Sequence, residues 1–362
     1  KEIDLVWGCT DNEDLLNLSF EEFIDRVLLN YKRDGKINPA IKNRCKKCEF
    51  QTNEQEESTG KKSGFKECWD AIFRKHNTES PETIVYNIWY FKSADKEFYK
   101  GNYFMSQLDE SIFTDKKACE YLSRKARQKL QYESVINKTT EEYFDKEGLK
   151  KEMKCWKYPL HFIDFETSTI AIPFSKNRRP YELIAFQFSH HIVHEDGRIE
   201  HTGEYINTEP GKFPNFDFLI ELKNQLDGDT GTIFRYAEHE KTVLNSIKRE
   251  LNETSVDELL NKEELIEWID KITDGERAMV DMLKLVKGYY YSPRMKGSNS
   301  LKVVLPTILN ESKYLQDKYD KPIYGGSDIP SKNFKEPMIW IKKNGSIIQD
   351  PYKLLPPLEY DF

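Results

Sequence analysis

His161-Phe162-Ile163-Asp164-Phe165-Glu166-Thr167 places two carboxylates at alternate positions of an apolar, aromatic run, and Ser168 follows. The run reads as a β-strand. Side chains alternate between faces in a strand, so Asp164 and Glu166 fall on one face, roughly 7 Å apart along the chain. Two anions on one side of a largely buried strand repel each other and lose hydration. The usual relief is a divalent cation, and an all-oxygen ligand set suits Mg²⁺ or Mn²⁺. A pair of such ions is the apparatus for in-line phosphodiester cleavage. The plainer alternative is a strand end carrying two solvated acids.

The pattern on either side of this strand is α/β. The expected strand Leu160–Phe165 is followed by strands at Leu183–Val193 and Ile199–Ile206, joined by a hairpin turn at Glu195-Asp196-Gly197. A helix is expected at Phe216–Leu226, a short buried strand at Thr232–Tyr236, and helices at His239–Leu251 and Glu263–Ile272. Ala278–Leu285 fits either strand or helix, and Leu301–Leu309 reads as a helix. Three antiparallel strands, then strands alternating with helices, is the order of a ribonuclease-H-like mixed sheet flanked by helices. Pro159 opens this part of the chain, which is expected to span residues 157–362.

Upstream the chain is polar and mainly helical. Residues 18–33, Asp115–Leu130 and Thr139–Met153 carry helical apolar stripes, and residues 51–63 are polar enough to be mobile. The expected division is a segment at 1–80 with metal-binding cysteines and a helical linker region at 81–156. Cys45-Lys46-Lys47-Cys48 is a C-x-x-C, and Cys68 follows after the polar insert. Two thiolates spaced by two residues grip one metal, and a distant third closes the chelate around Zn²⁺ or an iron–sulfur cluster. Cys9 is the nearest candidate for a fourth ligand, with His76 behind it. Free, metal-less thiols are the alternative.

The 362 residues carry a net charge of −7. An acidic balance argues against coating nucleic acid by bulk electrostatics, though it leaves room for a local basic groove. No apolar run approaches the roughly 18 residues of a membrane span, and no secretory signal is visible. The six cysteines are therefore read as reduced thiols of a cytoplasmic protein. Because the first residue is Lys1, the chain is expected to be a piece of a longer polypeptide.

Asp164-Phe165-Glu166-Thr167, Arg179-Pro180-Tyr181-Glu182, Phe186-Gln187-Phe188-Ser189 and Tyr236-Ala237-Glu238-His239-Glu240-Lys241-Thr242 occur together. With Val280-Asp281 and Gly297-Ser298-Asn299-Ser300-Leu301-Lys302 they resemble an uncharacterised bacterial family. Its members carry a ribonuclease-H-fold, DEDD-type exonuclease-like domain, often behind a RecB-like PD-(D/E)XK nuclease module with a cysteine cluster. The resemblance implies four carboxylates around two metal ions. Asp164 and Glu166 match the first pair, and Glu240 matches the second motif at the head of a helix, a Glu where Asp is commoner. Glu238 competes for that role. The last motif, a Tyr or His preceding a final Asp, has no clear copy. Asp350, Tyr360 and Asp361 lie in Pro-rich sequence, and the missing motif is expected beyond residue 362, which would leave the domain truncated.

Lys176, Arg178 and Arg179 on the loop after the first motif are candidate phosphate contacts, as is Lys302 at a helix start. A solvated basic loop and a simple helix cap are their alternatives. The implied activity is 3′-to-5′ exonucleolytic hydrolysis of DNA or RNA, acting on a single strand or a 3′ end. The competing expectation is a nucleic-acid-binding or assembly module with an incomplete DEDD site.

Overall fold

The computed structural model describes residues 19–35, 41–77, 81–115, 121–253, 261–327, 329–331, 334, 336–345 and 347–354. The chain divides into two compact units. One comprises Lys1–Ala118 with Arg124–Glu141, the other Cys119–Ser123 with Glu142–Phe362. Among the described residues no helix is long and apolar enough to cross a membrane.

The first unit is helical: α1 (Phe20–Lys32), α2 (Glu54–Ser58), α3 (Gly64–His76), α4 (Ala94–Tyr99) and α5 (Arg124–Asn137). Its core is organised by Trp69, fully buried and ringed by Phe65, Phe73, Tyr86, Phe98, Tyr103 and Phe104. The buried face of α5 is polar rather than apolar. Gln131 accepts from the Trp89 N–H (2.8 Å) and donates to the Asn87 carbonyl (2.9 Å), while Gln128 donates to the Trp89 carbonyl (2.9 Å). Those amides satisfy a buried loop backbone that would otherwise lack partners. Two expectations are corrected in this unit. Residues 51–63 contain a helix, because Asn53 and Glu56 form a reciprocal capping box. Of the helix expected at Asp115–Leu130, residues 116–120 lie outside the described residues, and the described helix runs from Arg124 to Asn137.

The second unit holds a five-stranded mixed sheet. Its strands are β2 (Leu160–Thr169), β3 (Leu183–Val193), β4 (Ile199–Ile206), β5 (Ile233–Arg235) and β6 (Val280–Asp281), in the spatial order β4-β3-β2-β5-β6. The first three pair antiparallel, and β5 and β6 run parallel to β2. Parallel pairing needs crossovers, supplied by α7 (Asn215–Leu226), α8 (His239–Glu253) and α9 (Lys262–Thr273). These helices cover one face. Ile163, Phe165, Ala185 and Phe188 of the sheet meet Phe218 and Leu222 of α7, Val243, Leu244 and Ile247 of α8, and Trp268 and Ile269 of α9. At roughly 25 cal/mol per Å² of apolar surface, this layer is the main source of stability in the unit.

The ambiguous stretch Ala278–Leu285 is both strand and helix: β6 gives way directly to α10 (Met282–Tyr289), capped by Asp281. Thr139–Met153, expected to be one helix, is the two-residue strand β1 (Tyr143–Phe144) followed by α6 (Lys146–Met153). Backbone pairing with β7 (Tyr290–Tyr291) fixes β1 as a strand. The late helices α11 (Leu301–Glu311) and α12 (Lys313–Tyr319) follow.

Candidate active site

On β2 the alternation is clean. Ile163 and Phe165 are buried against the helices, and Asp164 and Glu166 are exposed on the opposite face. Asp164 pairs in register with Ser189, and Glu166 with Gln187. The register then slips: Thr167 pairs with Ala185, so Phe186 is an extra residue on β3. A bulge there bends the strand just past the two carboxylates. Neither carboxylate is taken up by an ion pair among the described residues.

The second group arrives from the β5–α8 turn. Ala237 sits at φ 72°, a left-handed conformation that turns the chain sharply out of β5 and into α8. Asp281 holds that turn. Its Oδ1 accepts from the Ala237 N–H (3.0 Å) and from the Leu283 N–H (2.9 Å) at the head of α10, and its Oδ2 lies 3.8 Å from the buried Arg235. One carboxylate thus joins β5, β6 and the starts of α8 and α10.

Of the two glutamates in this turn, Glu238 is exposed and paired with Arg235 (3.3 Å) and Lys284 (3.4 Å). Glu240 is buried, and its Oε2 has no hydrogen-bond partner. Burial above all, then the charges of Asp164 and Asp281, push the Glu240 carboxyl up to about 7. A buried carboxylate with one oxygen left without a partner, under the charge of a second carboxylate, is costly for folding, and such groups cluster at functional sites.

Two neighbours of this pair were not singled out from the sequence. His239 Nε2 lies 3.5 Å from Thr167 Oγ1, which brings the imidazole beside the end of the carboxylate run. Tyr352 lies in the short turn Pro351–Leu354, its N–H donating to Asp350 (3.0 Å). Burial raises its phenol, and the charges of Asp350 and then Asp164 add to this.

The basic candidates separate. Arg178 is engaged internally: it pairs with Glu182 (3.0 Å) and Glu250 and stacks on Phe213, 3.3 Å from the ring centre. Lys176 and Arg179 are exposed on the same loop. Lys302 is exposed in the first turn of α11, whose leading loop is tied to the β5–α8 turn by the Tyr236 hydroxyl donating to the Asn299 carbonyl. In the other unit Cys45, Cys48 and Cys68 pack around the Trp69 core, and none is in a disulfide. Cys9 lies outside the described residues.

Among the described residues no three His, Cys, Asp or Glu side chains are gathered closely enough to hold a metal by themselves. Mg²⁺ seldom demands that. It keeps several waters and is held by one or two carboxylates plus substrate phosphates. The orphaned Glu240 oxygen beside Asp164 is a donor of that kind, so the residues present fit a hard divalent ion.

Residues 161–300 match a family model described as a domain of unknown function, DUF2779. The matched stretch contains β2 through β6 and ends at the start of α11, so Asp164, Glu166, Glu240 and Asp281 all fall inside it, while Tyr352 and the cysteines fall outside. No curated protein and no solved structure matches the chain.

Proposed function

We propose that the sheet-bearing unit is a metal-dependent nuclease of the 3′-to-5′ exonuclease type, acting on DNA or RNA by the chemistry of the ribonuclease-H-like DEDD enzymes. The observation that carries this reading is Glu240: buried, with an unpartnered oxygen, beside the exposed Asp164 of the central strand. The strand order, with an antiparallel β4-β3-β2 half and a parallel β2-β5-β6 half, supports the fold assignment. In this reading Asp164, Glu166 and Glu240 hold Mg²⁺ or Mn²⁺. Bound divalent ions would supply Lewis acidity for activating a water and offsetting charge on the leaving oxygen.

The remaining work falls to the chain itself. Asp281 fixes the turn that presents Glu240. Tyr352 keeps its proton at neutral pH and can donate a hydrogen bond near Asp164, the orienting role that the unmatched last motif would otherwise fill. Lys176, Arg179 and Lys302 offer charge for the phosphodiester backbone. Cys45, Cys48 and Cys68 are not gathered into a metal-holding group among the described residues, so a separate Zn²⁺ or iron–sulfur site there stands as a proposal that elemental analysis of the purified protein checks.

Mn²⁺ titration followed by thermal unfolding tests the carboxylate site. The wild type should gain stability with Mn²⁺, and Asp164→Asn and Glu240→Gln should each lose most of the gain. An equal gain in all three would remove the assignment. A second reading, a nucleic-acid-binding or assembly module with an incomplete site, is favoured by the lack of a closed three-ligand group among the described residues. It predicts oligonucleotide binding that chelator leaves unchanged, without hydrolysis.

A further inference from the structure

Residues 170–182, between β2 and β3, form an arm with an unusual surface. Ile172, Phe174 and Tyr181 are 82%, 72% and 71% exposed. Three large apolar side chains are thus left in water on one loop of thirteen residues. Lys176 and Arg179, the latter 80% exposed, are interleaved with them. The base of the arm is fixed. The Tyr181 N–H donates to the Ile170 carbonyl (2.7 Å), the Arg179 N–H donates to Glu182 (3.2 Å), and Arg178 is locked by Glu182, Glu250 and Phe213. The exposed side chains are therefore presented from an anchored base.

The position of the arm gives it a role. It leaves β2 at Thr169, three residues beyond Glu166, or roughly 10 Å of strand. Between its base and α8 lies a cleft of ≈ 490 Å³, lined by Thr169, Arg179, Tyr181, Thr242, Ser246 and Arg249 among others. The same helix carries Glu240 at its head. Of the acids along this cleft, Glu182 and Glu250 are tied to Arg178, while the exposed Glu253 lies 3.8 Å from Arg179, a weak pair that a phosphate would displace.

We propose that the arm is the strand-holding element of the site: Phe174 and Tyr181 stack on unpaired bases of a single-stranded nucleic acid, and Lys176 and Arg179 take its phosphates. Alternating flat apolar faces and anionic linkages are what a single strand offers, and aromatic stacking tolerates any base. This inference rests on the nuclease reading for its occupant, but it concerns binding and is testable without turnover.

The test is fluorescence anisotropy of a labelled oligothymidylate in Ca²⁺, with Mn²⁺-dependent hydrolysis measured separately. The proteins are the wild type, Phe174→Ala/Tyr181→Ala and Lys176→Ala/Arg179→Ala. Vesicles of anionic phospholipid serve as a second probe. The expected result is a loss of at least about tenfold in affinity for the aromatic pair. The basic pair should lower the slope of log affinity against log salt by about 1.4, the value for two phosphate contacts on a single strand. All four side chains are exposed, so folding should be retained. Wild-type binding that survives the aromatic pair within twofold would overturn the inference, even if hydrolysis is found. So would wild-type binding to vesicles and not to oligonucleotide. Arm-dependent binding without hydrolysis would sustain the inference and sink the nuclease reading instead.

Discussion

Glu240, buried at the head of α8, lies under the charge of Asp164 on the neighbouring strand β2. Burial, and then that charge, raise its carboxyl to about 7, where an ordinary glutamate titrates near 4.5. The fold holds this acid in a place that costs stability.

The sign of that cost gives a first prediction. A carboxyl raised in the folded state contributes stability below its unfolded pKa and loses it as pH rises through about 7. At pH 8 without divalent ions, Glu240→Gln should therefore stabilise the protein, by up to about 3 kcal/mol. The gain should shrink at pH 5. Urea unfolding at the two pH values checks it, and destabilisation at pH 8 would contradict it.

Asp281 should behave in the opposite way. It caps α10, accepts from Ala237 and pairs with Arg235 while buried. Asp281→Ala should cost about 2–4 kcal/mol in urea unfolding. Asp281→Asn, which keeps the accepting oxygen, should cost less. A loss below about 0.5 kcal/mol for the alanine variant would show that the turn presenting Glu240 stands without it.

Tyr352→Phe should leave the unfolding midpoint unchanged and lower Mn²⁺-dependent turnover by about 10²-fold or more, with little change in KM. An unchanged rate would remove Tyr352 from the site.

Acid sensitivity should come from a buried histidine pair, His161 on β2 and His190 on β3. His190 is fully buried, its Nε2 2.9 Å from Nδ1 of the buried His161, whose Nε2 meets Asp229 (2.8 Å). Arg277 faces Asp229 at 3.4 Å and Gln225 faces His190, while His191, next to it on β3, acts on it only through its charge. Burial, then His161, lower His190 to about 4. Between about pH 6.5 and 4 the unfolded chain binds the extra proton, so stability should fall across that window by up to about 3 kcal/mol. His190→Gln should flatten the fall, and an equal slope in both proteins would contradict this origin.

The sheet was largely legible because its signals are local. Leu183–Val193 and Ile199–Ile206 have the bounds expected from alternation and from the turn before Arg198. The face shared by Asp164 and Glu166 follows from strand periodicity alone. What escaped was either short or long-range. β6 has two residues and runs straight into a capped helix, so its period could not be read. The capping box of Asn53 and Glu56 was visible in sequence, but the surrounding charge masked it. Nothing local marks Phe186 as a bulge or brings Tyr352 towards Asp164, because both depend on register and on chain return. Arg178 looked like its neighbour Arg179, and only the tertiary placement of Phe213 and Glu250 separates an internal brace from an exposed cation.

The most direct measurement is hydrolysis of end-labelled single-stranded DNA and RNA with Mn²⁺ and with chelator, comparing the wild type with Asp164→Asn. A ladder shortening stepwise from the 3′ end is predicted, absent in chelator and absent in the variant, whose unfolding midpoint should match the wild type. Intact substrate with the wild type, or an unchanged ladder with Asp164→Asn, would contradict the assignment of the carboxylate site.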